Sequence, residues 1–310
     1  MTTKSTDKQL WEEARRAACD AALEAWDRVR HFYDGEYDVF EKPDGPCTEA
    51  DSLADRLIVE RLSEHYPAAE YGYLTEESED RSDRLARGRV WIIDPIDGTR
   101  DFIKHSGNFA MHVAMVEQLG DGPWHPVVGV VYRPIAGRLY SAIRGGGTLL
   151  QTVPADQVET TKAANANEAA VPRPLTESSA PRVSDCDRIT SARMVASNSN
   201  RTSRLMRLIE TLVPLEHAHF GSFGVKVCKI TEGEADFYVN PALGMSKEWD
   251  ACAPHLILEE AGGRMTDLDG RELTYNQRDF RLNGGIIASN GRLHEELVRR
   301  VGEFQAQHPG

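Results

Sequence analysis

The 310-residue chain is poor in positive charge, with 36 Lys and Arg against 49 Asp and Glu, and its net charge is −13. That balance disfavours nonspecific binding to nucleic acid or to anionic membranes. Aromatic residues make up only 7% of the chain and do not interleave with a basic stripe, so a nucleic-acid-binding surface is not indicated. Cysteine is scarce too. Cys19, Cys47, Cys186, Cys228 and Cys252 are scattered, odd in number and without a Cys-x-x-Cys pair, which argues against a disulfide framework or a thiolate zinc centre and fits reduced thiols in a cytoplasm. No apolar run approaches the length of a transmembrane helix, and Met1 to Gln9 is polar rather than signal-like. The expectation is a cytoplasmic protein that engages neither membrane nor nucleic acid. An anionic small molecule would need local help from metal ions or from a few placed cations.

What is present describes an ordinary globular protein, 40% hydrophobic and 27% charged, long enough for one large core or two intimate domains. Leu10, Ala14, Ala17, Ala21, Ala25 and Val29 recur at helical spacing and predict a helix from Lys8 to about Phe32. Thr48 and Asp51 read as a capping box opening a second helix, with Leu53, Leu57, Ile58 and Leu62 as its buried stripe. Apolar or alternating runs at Phe109 to Val116, Val127 to Tyr132 and Arg138 to Ile143, separated by Gly and Pro, predict an antiparallel sheet. Residues 151–187, rich in Ala, Pro, Ser, Thr and Glu, read as an exposed insertion or linker. It divides an α+β half, residues 1–150, from an α/β half, residues 188–310. In that second half, strands at Arg193 to Ala196, Phe237 to Val239 and Gly285 to Ala288 alternate with helices at Thr202 to Leu212, Ser222 to Glu232, Asp250 to Ala261 and Leu293 to Val301.

The richest stretch is Trp91-Ile92-Ile93-Asp94-Pro95-Ile96-Asp97-Gly98-Thr99. Val90 to Ile93 has the β-branched and aromatic make-up of a buried strand, so its end lies at the edge of a core. A turn set by Pro95 could aim Asp94 and Asp97 into one cleft, and Gly98 would free backbone amides to approach an anion. Hard oxygen ligands beside bare amides suit Mg²⁺ and phosphate. The plainer alternative is a pair of Asp-Pro and Asp-Gly turns joining two elements.

Three further segments complete a site if they fold towards Asp94. They are Lys42 to Asp51, a loop opening onto a helix; Tyr71 to Ser78, ending in the acidic pair Glu76 and Glu77; and Ser246 to Pro254, followed by Leu256 to Gly263. Taken singly, Asp51 and Asp250 suit helix starts and Glu76 and Glu77 a solvated turn. In this order, however, Thr-x-x-Asp, Glu-Glu, Asp-Pro-Ile-Asp-Gly-Thr and Trp-Asp before a helix ending Glu-Ala-Gly-Gly resemble the inositol monophosphatase superfamily, lithium-sensitive Mg²⁺-dependent phosphatases. The resemblance spans about Lys42 to Gly263 and implies a layered α/β/α/β/α sandwich, usually a homodimer, acting on a small phosphorylated metabolite.

By that resemblance, Glu76, Asp94 and the carbonyl of Ile96 would hold one Mg²⁺, and Asp94, Asp97 and Asp250 a second. A third, weaker ion would lean on Glu76. Asp51 and the Thr99 hydroxyl would orient and deprotonate the attacking water, while the amides of Gly98 and Thr99 grip the phosphate. Within the superfamily, Lys226 of Phe220 to Cys228 falls where 3′(2′),5′-bisphosphate nucleotidases carry a lysine for the second phosphate, which implies that the substrate is 3′-phosphoadenosine 5′-phosphate. A solvated helix lysine is the plainer reading. Asn240 stands where some nucleotidases have an arginine, and Lys247 or Arg201 could supply the missing cation. Ser197, Asn198 and Arg201 match a substrate loop or, equally, helix caps. His217 and His219 suit packing rather than catalysis. The rival functions are an inositol-1-phosphatase or broad sugar phosphatase on the same fold, and a non-catalytic metal or nucleotide binder.

Overall fold

The computed structural model describes residues 3–42, 45–80, 82–120, 122–154, 176–198 and 202–308. The chain opens with α1 (Thr3–Tyr33), then the hairpin of β1 (Val39–Lys42) and β2 (Gly45–Thr48), then α2 (Glu49–Ser63). There follow β3 (Gly72–Thr75), β4 (Arg89–Asp97), the short α3 (Thr99–Ile103), β5 (Ala110–Gln118), β6 (Trp124–Arg133), β7 (Arg138–Ile143), β8 (Gly147–Thr152) and β9 (Thr176–Ser179). Strands β3 to β9 form one sheet in sequence order, antiparallel except where β3 lies beside β4. The remainder is β10 (Arg193–Ser197), α4 (Ser203–Leu212), β11 (Glu216–Phe220), α5 (Phe223–Thr231), β12 (Phe237–Asn240), α6 (Glu248–Glu260), β13 (Arg264–Thr266), β14 (Ile286–Ser289) and α7 (His294–Gln307). Its strands form a second sheet ordered β11-β10-β12-β14-β13, parallel among the first three and antiparallel at β14.

Strand alternation explains the layers. On β4, Trp91 and Ile93 face one cluster with Ala14, Ala18 and Trp26 of α1 and Ile58 of α2, while Val90 and Ile92 face another with Val225 of α5 and Leu256 of α6. On the second sheet, Val195, Tyr238 and Ile286 join that same inner cluster, whereas Met194, Phe237 and Ile287 face Leu208 of α4 and Val301 of α7. The result is an α/β/α/β/α sandwich, with α5 and α6 buried between the sheets. Both are apolar on most sides for that reason: every residue from Ala251 to Leu258 is buried.

The segment expected as a linker is partly built into this frame. Its first residues finish β8, and Thr176–Ser179 pairs antiparallel with β8 as an edge strand. Val183 then packs against the inner core. Residues 155–175 lie outside those described. The Lys42 to Asp51 segment is likewise not a loop alone, because its middle forms the β1–β2 hairpin.

Candidate active site

The site is built where β4 runs out. Asp94 and Asp97 are three residues apart, so a regular strand would point them to opposite faces. Between them the pairing with β5 slips: Asp94 stands opposite His112 and Asp97 opposite Ala110, three steps on β4 against two on β5. This one-residue bulge contains Pro95, which has no N–H to give to a ladder, and it brings Asp97 round to the side of Asp94. The expected turn at Pro95 is therefore corrected to a bulge in a continuing strand. Gly98 follows with φ of 99°, a conformation that favours glycine, and starts α3.

Asp250 comes from the other sheet's side, in the first turn of α6. Pro254 cannot donate to the carbonyl of Asp250, so that turn needs other supports. The Asp250 carboxylate accepts from the amide of Lys247 at 2.7 Å, and the buried Glu248 carboxylate accepts from the amides of Asn276 (2.7 Å) and Gln277 (2.8 Å). One carboxylate oxygen each from Asp94, Asp97 and Asp250 then lie within 4.8 Å of one another. Glu76 enters from the end of β3, its amide bonded to the carbonyl of Ile93. Its neighbour Glu77 turns away, to Lys42 and the thiol of Cys47.

These acids do not share one electrostatic state. Burial, then the charge of Glu76 and Asp97, pushes Asp94 well above the usual carboxylate range. Burial likewise raises Asp250, helped by Asp97, and Glu76, helped by Asp250. Asp97 is opposite. Burial works against its ionisation, but His112 at 3.2 Å, Lys226 and the Ser222 hydroxyl outweigh it and hold Asp97 below its ordinary value. The Asp97 carboxylate also accepts from the amide of Gly224 at 2.6 Å, at the start of α5. Three converging hard oxygen donors, two of them buried, fit a divalent cation.

Beside this cluster, Asp51 is buried in the first turn of α2, where its carboxylate accepts from the amide of Thr48 at 2.8 Å and from the Thr48 hydroxyl. The Thr99 hydroxyl donates to its other oxygen at 2.9 Å and lies 3.3 Å from the carbonyl of Ile96. Burial pushes Asp51 up to about 6, against those hydrogen bonds. Lys226 is expected from the sequence to meet the second phosphate of the substrate. The residue is 2% exposed, and its ammonium donates to the carbonyls of Phe220 (3.3 Å), Gly221 (2.8 Å) and Ser222 (2.7 Å). An ammonium has three N–H donors, and all three are engaged in closing the β11–α5 corner. Ser197 ends β10, buried, its carbonyl bonded by His219. Arg201 lies outside the described residues.

The profile of the inositol monophosphatase family matches residues 7–306. The chain is 31% identical over 273 residues to the 3′(2′),5′-bisphosphate nucleotidase CysQ of Salmonella typhimurium, covering 86% of this chain and 96% of that one. With the protein of the same name from Escherichia coli K12 it is 30% identical over 275 residues, covering 87% and 97%. The chain belongs to the inositol monophosphatase family. Among solved structures, CysQ of Bacteroides thetaiotaomicron, described as a bacterial member of the family, superposes with a TM-score of 0.70 at 29% identity, covering 90% of this chain and 97% of that one. The suppressor protein SuhB of Bartonella henselae gives 0.71 at 24% identity, covering 93% and 98%, which speaks to the fold alone.

As a member of this family the chain is a phosphatase, a hydrolase; enzymes of the family are metal-dependent, and this chain carries a cluster of acidic residues. Its acidic cluster opens into a cavity of about 530 Å³ that reaches Glu76 and Asp250 and is bordered by Lys247, Phe280 and Arg281. Ser197 and Lys226 do not line it. Three functional neighbours escaped the sequence reading: His112, Ser222 and Gly224 as partners of Asp97. His112 carried a signal, being a lone titratable residue in the apolar run Phe109 to Val116.

Proposed function

We propose that the protein is a Mg²⁺-dependent 3′(2′),5′-bisphosphate nucleotidase that removes the 3′-phosphate of 3′-phosphoadenosine 5′-phosphate. The observation that carries this reading is the convergence of Glu76, Asp94, Asp97 and Asp250 beside the Asp51–Thr99 pair, in a chain about 30% identical along nearly its whole length to bisphosphate nucleotidases. Asp94, Asp97, Asp250, Glu76 and the carbonyl of Ile96 are the groups that would hold two or three Mg²⁺. When bound, such ions supply Lewis-acid stabilisation of the phosphoryl and leaving oxygens.

The chain's own residues do the proton work. A water attacking phosphorus passes a proton to the Thr99 hydroxyl as Thr99 passes its own to Asp51, 2.9 Å away. Asp51, pushed up to about 6, is basic enough to accept that proton and ionised enough at neutral pH to start without it. The amides of Gly98 and Thr99 orient the phosphate, the ester oxygen leaves and takes its proton from solvent, and the products are adenosine 5′-phosphate and inorganic phosphate. No covalent phosphoenzyme is required. The five free cysteines support a cytoplasmic setting.

An inositol-1-phosphatase or broad sugar phosphatase is the second reading, favoured by two observations: Lys226 is held inside the β11–α5 corner, and Asn240 braces its own loop by bonding Ser246. The deciding experiment compares kcat/KM for 3′-phosphoadenosine 5′-phosphate, inositol 1-phosphate and fructose 1,6-bisphosphate at equal Mg²⁺. The nucleotide should lead by at least tenfold. A lead by either sugar ester would overturn the nucleotidase reading and leave the phosphatase chemistry intact.

A further inference from the structure

The nucleotidase reading, on which this inference rests, leaves a physical gap. A bisphosphate brings its second phosphate into a strongly acidic neighbourhood, and the lysine expected to meet it has its donors on three backbone carbonyls. The cavity supplies another pair of cations. It begins at Glu76 and Asp250, so an ester whose reacting phosphate lies on the acidic cluster has this space for its remainder, and its 530 Å³ falls within the roughly 300–1,000 Å³ typical of small-molecule sites.

Lys247 and Arg281 border this space, and their backbones are tied as an antiparallel bridge, so the two cations come as a unit. The Arg281 guanidinium is oriented by Asp279 through Nε at 2.8 Å and Nη2 at 3.0 Å. The same cavity has an apolar wall. Phe280 packs on Trp249 with ring centroids 4.8 Å apart, which fixes its ring, and Met245, 57% exposed, lines the same cavity. Paired cations beside an apolar, aromatic surface suit an anion carried on a flat ring system. We infer that Lys247 and Arg281 read the second, non-hydrolysed phosphate of the substrate, with the base against Met245 and Phe280.

The test compares 3′-phosphoadenosine 5′-phosphate with adenosine 3′-phosphate, the same ester without the distal phosphate, at equal Mg²⁺ on wild type, Lys247→Gln and Arg281→Gln. Wild type should prefer the bisphosphate. Each substitution should shrink that preference by about ten- to a hundredfold, the range for a hydrogen bond to a charged group, chiefly through KM. Activity on adenosine 3′-phosphate serves as the check that the variants fold. A wild type that prefers the bisphosphate, with variants that keep the preference, overturns this assignment and spares the nucleotidase reading. A wild type that ignores the distal phosphate removes both.

Discussion

At the scale of single residues the site is a collection of groups that the folded protein holds against their own preference. Asp94 is 1% exposed, sits beside Glu76, Asp97 and Asp250, and accepts one local hydrogen bond, from the amide of Ile96 at 3.1 Å. Concentrating carboxylates in this way opposes folding unless a cation neutralises them. Asp94→Asn keeps the shape and an oxygen acceptor while removing one charge. It should therefore abolish phosphatase activity and yet raise the Tm measured in EDTA, by roughly 1 kcal/mol or about 2 °C. Saturating Mg²⁺ should stabilise the wild type by about 2.7 kcal/mol at a hundred times Kd and leave the variant nearly unmoved. Calorimetry with and without Mg²⁺ checks both arms, and a variant less stable than wild type in EDTA would show that Asp94 is not under repulsion. Lys226 is the counterpart. Its type was legible as a cation in the right segment, but whether its ammonium faces substrate or its own helix corner depends on the path of Phe220 to Ser222, and no spacing in the sequence encodes that path.

At the scale of elements, periodicity carried most of the reading. The expected helices and strands of the second half reappear within two residues of their bounds, except that α7 runs on from Val301 to Gln307, because their apolar repeats are strong and their caps are explicit: Thr202 and Ser222 each accept an amide at the head of α4 and α5. What could not be read was set by partners distant in sequence. The bulge at Pro95 exists in relation to β5, and β9 is a strand only because β8 lies beside it. The α5 corner shows the same dependence. A Cβ on Gly224 would stand 2.1 Å from Nε2 of His112, so the glycine lets the helix start press its amide onto Asp97 beside that histidine. Gly224→Ala should cost about 1–3 kcal/mol as an overpacked core does, and should lower kcat by displacing Asp97. His112→Ala in the same chain removes the obstruction, so the double variant should lose less stability than the two single losses added together. Urea titrations of the four proteins give the coupling, and strict additivity would mean that the two residues do not meet.

Over the whole molecule, the charge excess and the buried acids set how stability follows pH, and two opposing contributions can be separated. Asp94, Glu76 and Asp250 have folded-state values above their unfolded ones, so in metal-free protein they oppose folding at neutral pH and cease to do so as acid protonates them. His294 works the other way. It heads α7, fully buried, with Thr266 at 2.9 Å from Nε2 and Ser289 at 2.9 Å from Nδ1, and burial, aided by Arg264 and opposed by Glu295, lowers it to about 4. Because the unfolded imidazole takes its proton near pH 6.5 and the folded one only near 4, the contribution of neutral His294 is complete above pH 6.5 and is lost as pH falls from there towards 4. Replacing it by His294→Gln, which can still bond both hydroxyls, removes that dependence and leaves the acidic site untouched. In EDTA, the stability of wild type relative to the variant should fall by about 2.5 kcal/mol, about 5 °C in Tm, between pH 7.5 and pH 4.5. Thermal melts of both proteins across that range decide the matter: a difference that stays constant with pH would mean that His294 takes up its proton as readily folded as unfolded, and that the α7 head is open to water.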